Sequence, residues 1–306
     1  YSAPGRSIIV TSVSNSSYES LSVVPSWGRR FTVVVRHLFS SPVTAVGVSI
    51  TFLFLVVAII GPFIAPYGAN EIIPADARQP PSADHWFGTD NLGRDVFSRV
   101  LLGAREILIL AGLGTVLAVF LGTFFGLLTG YAGGWFDEIT MRIFDSLLAL
   151  PALLLALLLL GTVGNSRYSI LIVIIVVYTP IVARVVRSVV LTVKQQGFVE
   201  AARLVGETRA RILLREILPS VLPTLSVESA LRFSYAIFLV ASLGFLGVGV
   251  QPPSPNWGLM VKEARAYASL IPWALFFPAL AISMVVIGVN LFADGLKSIL
   301  SPGQVE

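Results

Sequence analysis

Six apolar stretches, each close to the length a helix needs to cross lipid, dominate this 306-residue chain. They cover approximately 44–64, 107–130, 146–163, 169–190, 227–249 and 272–294. About 20 predominantly apolar residues carry a helix across the hydrocarbon core. Lipid offers the backbone no hydrogen bonds, so a spanning segment is a helix or part of a closed barrel. By length all six read as helices, which predicts an all-α polytopic membrane protein with six transmembrane helices. The third, SLLALPALLLALLLLGTV, is the shortest.

Composition agrees with this and removes other classes. The chain is 55% hydrophobic and 12% charged, with mean hydropathy +0.85. Soluble domains carry about 25% charged residues. A net charge of +4 and a pI near 9.6 do not indicate nucleic-acid binding, because membrane proteins gather Lys and Arg on one side. There is no cysteine, so disulfides and thiolate metal sites are excluded. His37 and His85 are the only histidines, too few for a histidine metal cluster. No phosphate-loop pattern occurs; Gly295-Leu296-Lys297-Ser298 lacks the spacing for a phosphate cradle. No catalytic residues, metal site or cofactor is therefore assigned to this chain. If ATP is used, another polypeptide supplies its site.

Positive charge sets the expected orientation. With both ends inside, the inner segments hold Arg6, Arg29, Arg30, Arg36, Arg142, Arg184, Arg187, Lys194, Arg203, Arg209, Arg211, Arg215 and Lys297. The outer segments hold Arg78, Arg94, Arg99, Arg105, Arg167, Lys262 and Arg265. Thirteen against seven favours both termini, and the 191–226 loop, in the cytoplasm. Residues 1–43 contain no signal-peptide pattern and read as a cytoplasmic leader, flexible or interfacial. Trp27, Arg29, Arg30 and Phe31 are expected to rest on the membrane surface.

Residues 200–219, EAARLVGETRARILLREILP, lie between two spans and carry four arginines, so they belong in water. Gly206 is expected to end a first short helix in the left-handed conformation, and Pro219 to stop a second. The expected shape is two short helices at an angle, projecting from the membrane. This segment resembles the EAA loop of permease subunits of bacterial ABC importers, whose pattern is E-A-A, three residues, G, nine residues, I-x-L-P. Glu200, Ala201, Ala202, Gly206, Leu218 and Pro219 match in register, while Glu216 stands where the pattern has isoleucine. Three further blocks, FGTDNLGRD at 87–95, the 130–145 block with Gly133-Gly134-Trp135, Asp137, Arg142 and Asp145, and LGFLGVGVQPPSPNWG at 243–258, narrow the resemblance. They look like the dipeptide, oligopeptide and nickel branch, and like the second permease of its pair.

The resemblance implies the type I importer permease fold over 44–300, with a coupling loop at 195–222. It implies a bacterial plasma-membrane subunit that forms half of a translocation path for peptides. Implied partners are a second related permease, two ATPase subunits that bind ATP and Mg, and an extracytoplasmic substrate-binding protein. The runner-up substrate is nickel or another small solute. A self-sufficient secondary transporter is the rival class, and spans almost free of charge argue against it.

Other residues carry two readings each. Phe87, Asp90, Arg94 and Asp95 form either an outer contact for the binding protein or a fold-locking turn built on Gly88 and Gly93. Asp84 and His85 beside Asp90 and Asp95 are weak evidence for a metal. Trp257, in a proline-rich outer turn, is expected to anchor at the interface or form part of a lid. Gly122, Gly126 and Gly130 share one helix face, against another helix of this chain or of a partner permease. Glu228 and Arg232 are four apart within the fifth span, spaced for a local ion pair, with a translocation-path role as the alternative.

Overall fold

A computed structural model describes residues 41–300. Nine helices of eight residues or more are present among them. They are α1 (Pro42–Ile64), α2 (Val96–Ala132), α3 (Gly134–Leu148), α4 (Ala152–Val163), α5 (Arg167–Val193), α6 (Gly197–Leu204), α7 (Leu218–Leu246), α8 (Trp257–Arg265) and α9 (Pro272–Leu300). The described residues contain no strand, only an isolated bridge between Thr89 and Asp95. Apart from its last residues, the 1–43 leader lies outside the described residues, Trp27, Arg29, Arg30 and Phe31 included.

Local chemistry places the helix starts. Asp95 caps α2 by accepting the Ser98 N–H at 2.7 Å, and Ser166 caps α5 by accepting that of Ser169 at 3.1 Å. Pro42 and Pro272 open α1 and α9, where a missing N–H costs nothing. Five helices are long and apolar enough to span a membrane singly: α1, α2, α5, α9, and the continuous helical run Arg209–Leu246 that contains α7.

The bundle is organised around α2 and α5. Gly122, Gly126 and Gly130 bring α2 so close that an added Cβ would meet Val182, the Ala183 carbonyl and Val190 of α5 at 2.6–2.8 Å. The glycine face is thus occupied within this chain. Ala104, Ile107, Ala111 and Ala118 of α2 join Ile170, Ile174, Ile237 and Leu243 in the main core. On α1, most large apolar side chains stay exposed, Phe52, Ile59 and Phe63 among them, as a lipid-facing or assembly-facing surface requires.

Two expectations need correction. The segment 146–163 is not one straight span, because α3 and α4 meet at a 93° bend across Ala149–Leu150–Pro151. Pro151 lacks an N–H and disfavours helix at Leu150, which breaks the run. The twelve residues of α4 reach only about 18 Å. Nor does Pro219 stop a helix. Residues Ile212–Ile217 widen into a π turn, and Pro219 falls in the first turn of α7, so helix runs on into the membrane span. The wider turn accommodates a residue that cannot complete the usual ladder.

Candidate functional site: an exposed arm and a latched opposite end

The arm comprises α6, the turn at Gly206 and the helical start at Arg209–Ile217. Its closure follows from the sequence. The Gly206 N–H bonds to Arg203 O at 3.0 Å and the Glu207 N–H to Ala202 O at 3.1 Å. This is a Schellman ending, and Gly206 takes φ +84° as it demands. Thr208 caps the next helical turn by accepting the Arg211 N–H, and Arg211 pairs with Glu207 at 3.2 Å.

The arm has an anchored side and an open side. Val199, Ile212 and Ile217 are fully buried against Leu127, Val186, Val190 and Val193, with Ala202 and Leu218 packed at the edge. Lys194 donates to Gly130 O at 2.7 Å, and the Arg203 guanidinium lies over the Tyr131 ring at 5.2 Å. The other side carries exposed Phe198, Ala201, Leu204 and Val205, with Leu204 83% and Val205 81% accessible. Glu200, Gly206 and Pro219 are exposed as well. The arm thus presents a short apolar face, among Glu200, Arg203 and Arg209, that nothing in this chain covers among the described residues.

At the opposite end, residues 65–95 fold into a latch whose centre, His85, Thr89, Asp90, Arg94 and Asp95, is buried. Arg94 Nε lies 2.5 Å from Asp90 Oδ2, and its Nη2 lies 2.6 Å from Glu263 Oε2 of α8. Asp95 accepts from Ser98 and contacts His85 Nδ1 at 2.9 Å. Arg99 reaches the carbonyls of Ala69 and Ser254, and Trp273 Nε1 donates to Thr89 O at 3.0 Å. Gly88 and Gly93 turn with positive φ, as expected.

Burial revises the candidate outer contacts. Asp90, Arg94, Asp95 and Trp257 are all buried, so none offers an open contact surface. Phe87 is half-buried and stacked on Phe277, with ring centroids 3.8 Å apart. Trp257 is not an interfacial anchor: its Nε1 donates to Val100 O at 2.9 Å and its ring meets Phe54 edge-on at 5.7 Å. Among the described residues no group of three or more His, Asp or Glu side chains is arranged to hold a metal. Residues that sequence reasoning missed are Glu263, Arg99 and Trp273. Their partners lie in segments distant along the chain, and only Asp95 followed by Ser98 carried a local signal, that of a helix cap.

Within the bundle, Arg232 Nε sits 2.8 Å from Glu228 Oε1, both side chains nearly buried. The Tyr178 and Tyr235 rings flank the guanidinium at 5.8 and 4.9 Å. This is the local pair that the four-residue spacing allows. A further polar cluster forms where α3 crosses α5. Arg187 grips Asp137 through Nε and Nη2 at 2.5 and 2.6 Å, and Arg184 pairs with Asp145.

Five long apolar helices and a bent sixth pair, with few charges inside the bundle, define a multi-pass membrane protein. Residues 122–305 match the model of binding-protein-dependent transport system inner membrane components. Residues 30–81 match the N-terminal transmembrane domain of oligopeptide transport permease C. The chain belongs to the binding-protein-dependent transport family, whose members are ABC importer permeases of type I fold. It is 38% identical over 284 residues to the dipeptide transport system permease protein DppC of Alkalihalophilus pseudofirmus, covering 93% of this chain and 92% of that one. It is 44% identical over 255 residues to glutathione transport system permease protein GsiD of Escherichia coli and of Shigella boydii, covering 82% of this chain and 83% of theirs.

Proposed function

We propose that this chain is one of two paired permeases in an ATP-driven importer of small peptides, and that the arm couples it to ATPase subunits. The supporting observation is the exposed Phe198, Ala201, Leu204 and Val205 face, backed by fully buried Val199 and Ile212. The knob sits on α6, whose buried Val199 packs against Ile212 and Ile217 at the start of the helix that runs into a span, so a push on it passes to the bundle through that contact. Glu200 stands beside the knob, ready to accept hydrogen bonds or pair with a basic partner. Ala201 is small enough for close approach.

In this reading both termini and the arm face the cytoplasm of a bacterial plasma membrane, where ATP is present. The latch end faces outward and meets a substrate-binding protein. ATP and Mg belong to two partner ATPase subunits, and the second permease completes the path. Peptides are the substrate class because two relatives are named for dipeptide and glutathione transport.

The test is co-purification of the ATPase subunits with the permease pair, with and without Val205→Asp. Intact chain should retain the ATPases and Val205→Asp should release them while still inserting. Equal retention by both would remove the arm from the interface. A cysteine at Ser82, in a chain with no native thiol, should react only with reagents supplied from outside; labelling from the cytoplasmic side alone would invert the topology.

A further inference from the structure

We infer that α3 is an in-plane membrane helix that rests in the lipid interface at the arm end of the bundle, setting Phe136, Ile139 and Ile143 into lipid. The apolar runs alone leave residues 131–145 on the inner side between two spans and begin the next span at 146.

Geometry supplies the first argument. Asp137 pairs with Arg187 and Asp145 with Arg184. Eight residues of α3, about 12 Å of helix, therefore traverse only three residues of α5, about 4.5 Å. So α3 crosses the span instead of running along it. The 93° bend to α4 agrees, since α4 turns back to run beside α5, with Leu155, Ala156 and Leu160 buried in the core that α5 shares. If α5 stands across the membrane, α3 lies near its plane.

The side-chain pattern supplies the second. At 100° per residue, Asp137, Met141, Phe144 and Leu148 share the side that meets the bundle, where Asp137 is buried and Phe144 meets Phe125 edge-on at 5.6 Å. On one flank stand Glu138, Arg142 and Asp145, lining a polar cleft with Arg184 and Arg187. On the other flank stand Phe136, Ile139 and Ile143, all exposed, with Trp135 at the outward edge, 77% accessible. Bundle, water and lipid thus each have a face. A polar flank opposed to Phe, Ile and Trp is the signature of a helix lying in the interface, and Trp favours the headgroup level.

Depth supplies the third. The apolar run of α5 is expected to end near residue 190, so Arg184 and Arg187 sit in its last turns. Their carboxylate partners on α3 therefore lie close to the headgroups, where both charges keep access to water. The same pairs hold α3 at that level. A spanning α3 would drag Glu138, Arg142 and Asp145 through hydrocarbon, where charged side chains are strongly disfavoured.

Spin labels on single introduced cysteines test this in the assembled importer in lipid nanodiscs. Labels at Phe136, Ile139 and Ile143 should be relaxed by oxygen more than by a water-soluble nickel chelate, with similar depths. Labels at Glu138 and Arg142 should show the reverse preference. Depth rising steadily from 136 to 143 would mean a spanning helix and overturn the inference. Protection of 139 and 143 from both reagents would mean that a protein partner covers the face, and chelate access there would mean water; either result also overturns it. Should labelling at Ile139 prevent assembly, benzophenone-lipid crosslinking to unsubstituted chain, mapped by mass spectrometry, reads the same face. A lipid adduct within 135–143 is expected, and its absence beside adducts on α1 would count against an interfacial position.

Discussion

Arg94 and Glu263 are 169 residues apart in sequence, yet Arg94 Nη2 sits 2.6 Å from Glu263 Oε2. Arg94 also holds Asp90, so one guanidinium ties the loop before α2 to α8. Substituting Arg94→Ala leaves Asp90 buried without its cation. Breaking one partner of a buried pair costs about 3–5 kcal/mol, and the low end applies here because Glu263 is partly exposed. Expected is a loss of about 3 kcal/mol in thermal unfolding of the purified subunit, with Arg94→Lys restoring under half. No change in melting would mean that the latch carries no stability.

Gly126 faces the Ala183 carbonyl at 2.6 Å from where a Cβ would sit, and a carbonyl in a helix cannot move aside. Gly126→Ala is therefore expected to push α2 from α5 and cost about 1–3 kcal/mol, typical of overpacking. Gly161, with nothing within 4 Å, is the control and should tolerate alanine. Thermal unfolding in detergent compares the two; equal melting would contradict the close α2–α5 packing.

Glu228→Gln is expected to destabilise more than the double change Glu228→Gln with Arg232→Met. The single change leaves the Arg232 charge nearly buried between Tyr178 and Tyr235 without its counter-ion. The double change removes both charges, and replacing a buried pair with apolar volume is often close to neutral. Yield and melting temperature of the three proteins decide it. A double variant worse than the single would indicate that the charges themselves are required.

Gly206→Val meets no neighbour, because nothing lies within 4 Å of the added Cβ. Its cost is backbone alone, about 1–2 kcal/mol for a β-carbon in the left-handed region. The spans should insert and pack normally, while the arm reorients and ATPase subunits detach. Size-exclusion profiles of the permease pair, alongside pull-down of the ATPases, separate the two effects. Normal pull-down would disconnect the Gly206 turn from coupling.

Much of this was legible in the sequence where causes are local. Apolar run length marked where membrane-crossing helices fall, four-residue spacing marked Glu228 with Arg232, and a glycine after a short helical pattern marked the φ +84° turn at Gly206. Failures came where partners are remote. Trp257 looked like a belt residue, because nothing near it in sequence reveals Phe54 or the Val100 carbonyl. Arg184 and Arg187 counted only as topology markers until Asp145 and Asp137 folded back onto them. Hydropathy sees composition, not direction, so it merged the end of α3 with α4 across their bend. Pro219 looked like a stop because the rule assumes a regular α-helix, and the π turn ahead of it is not one.

The unbroken helix from Arg209 to Leu246 has a consequence for how the family can change. Beyond its π turn, the 29 residues of α7 make one screw about 44 Å long. Adding or deleting a single residue within it would rotate everything beyond by about 100°. Such a change would swing the arm away from its anchoring pocket or turn Ser234, Ile237 and Leu243 out of the core. The two ends are therefore locked in phase, and this stretch tolerates substitution far better than any change of length.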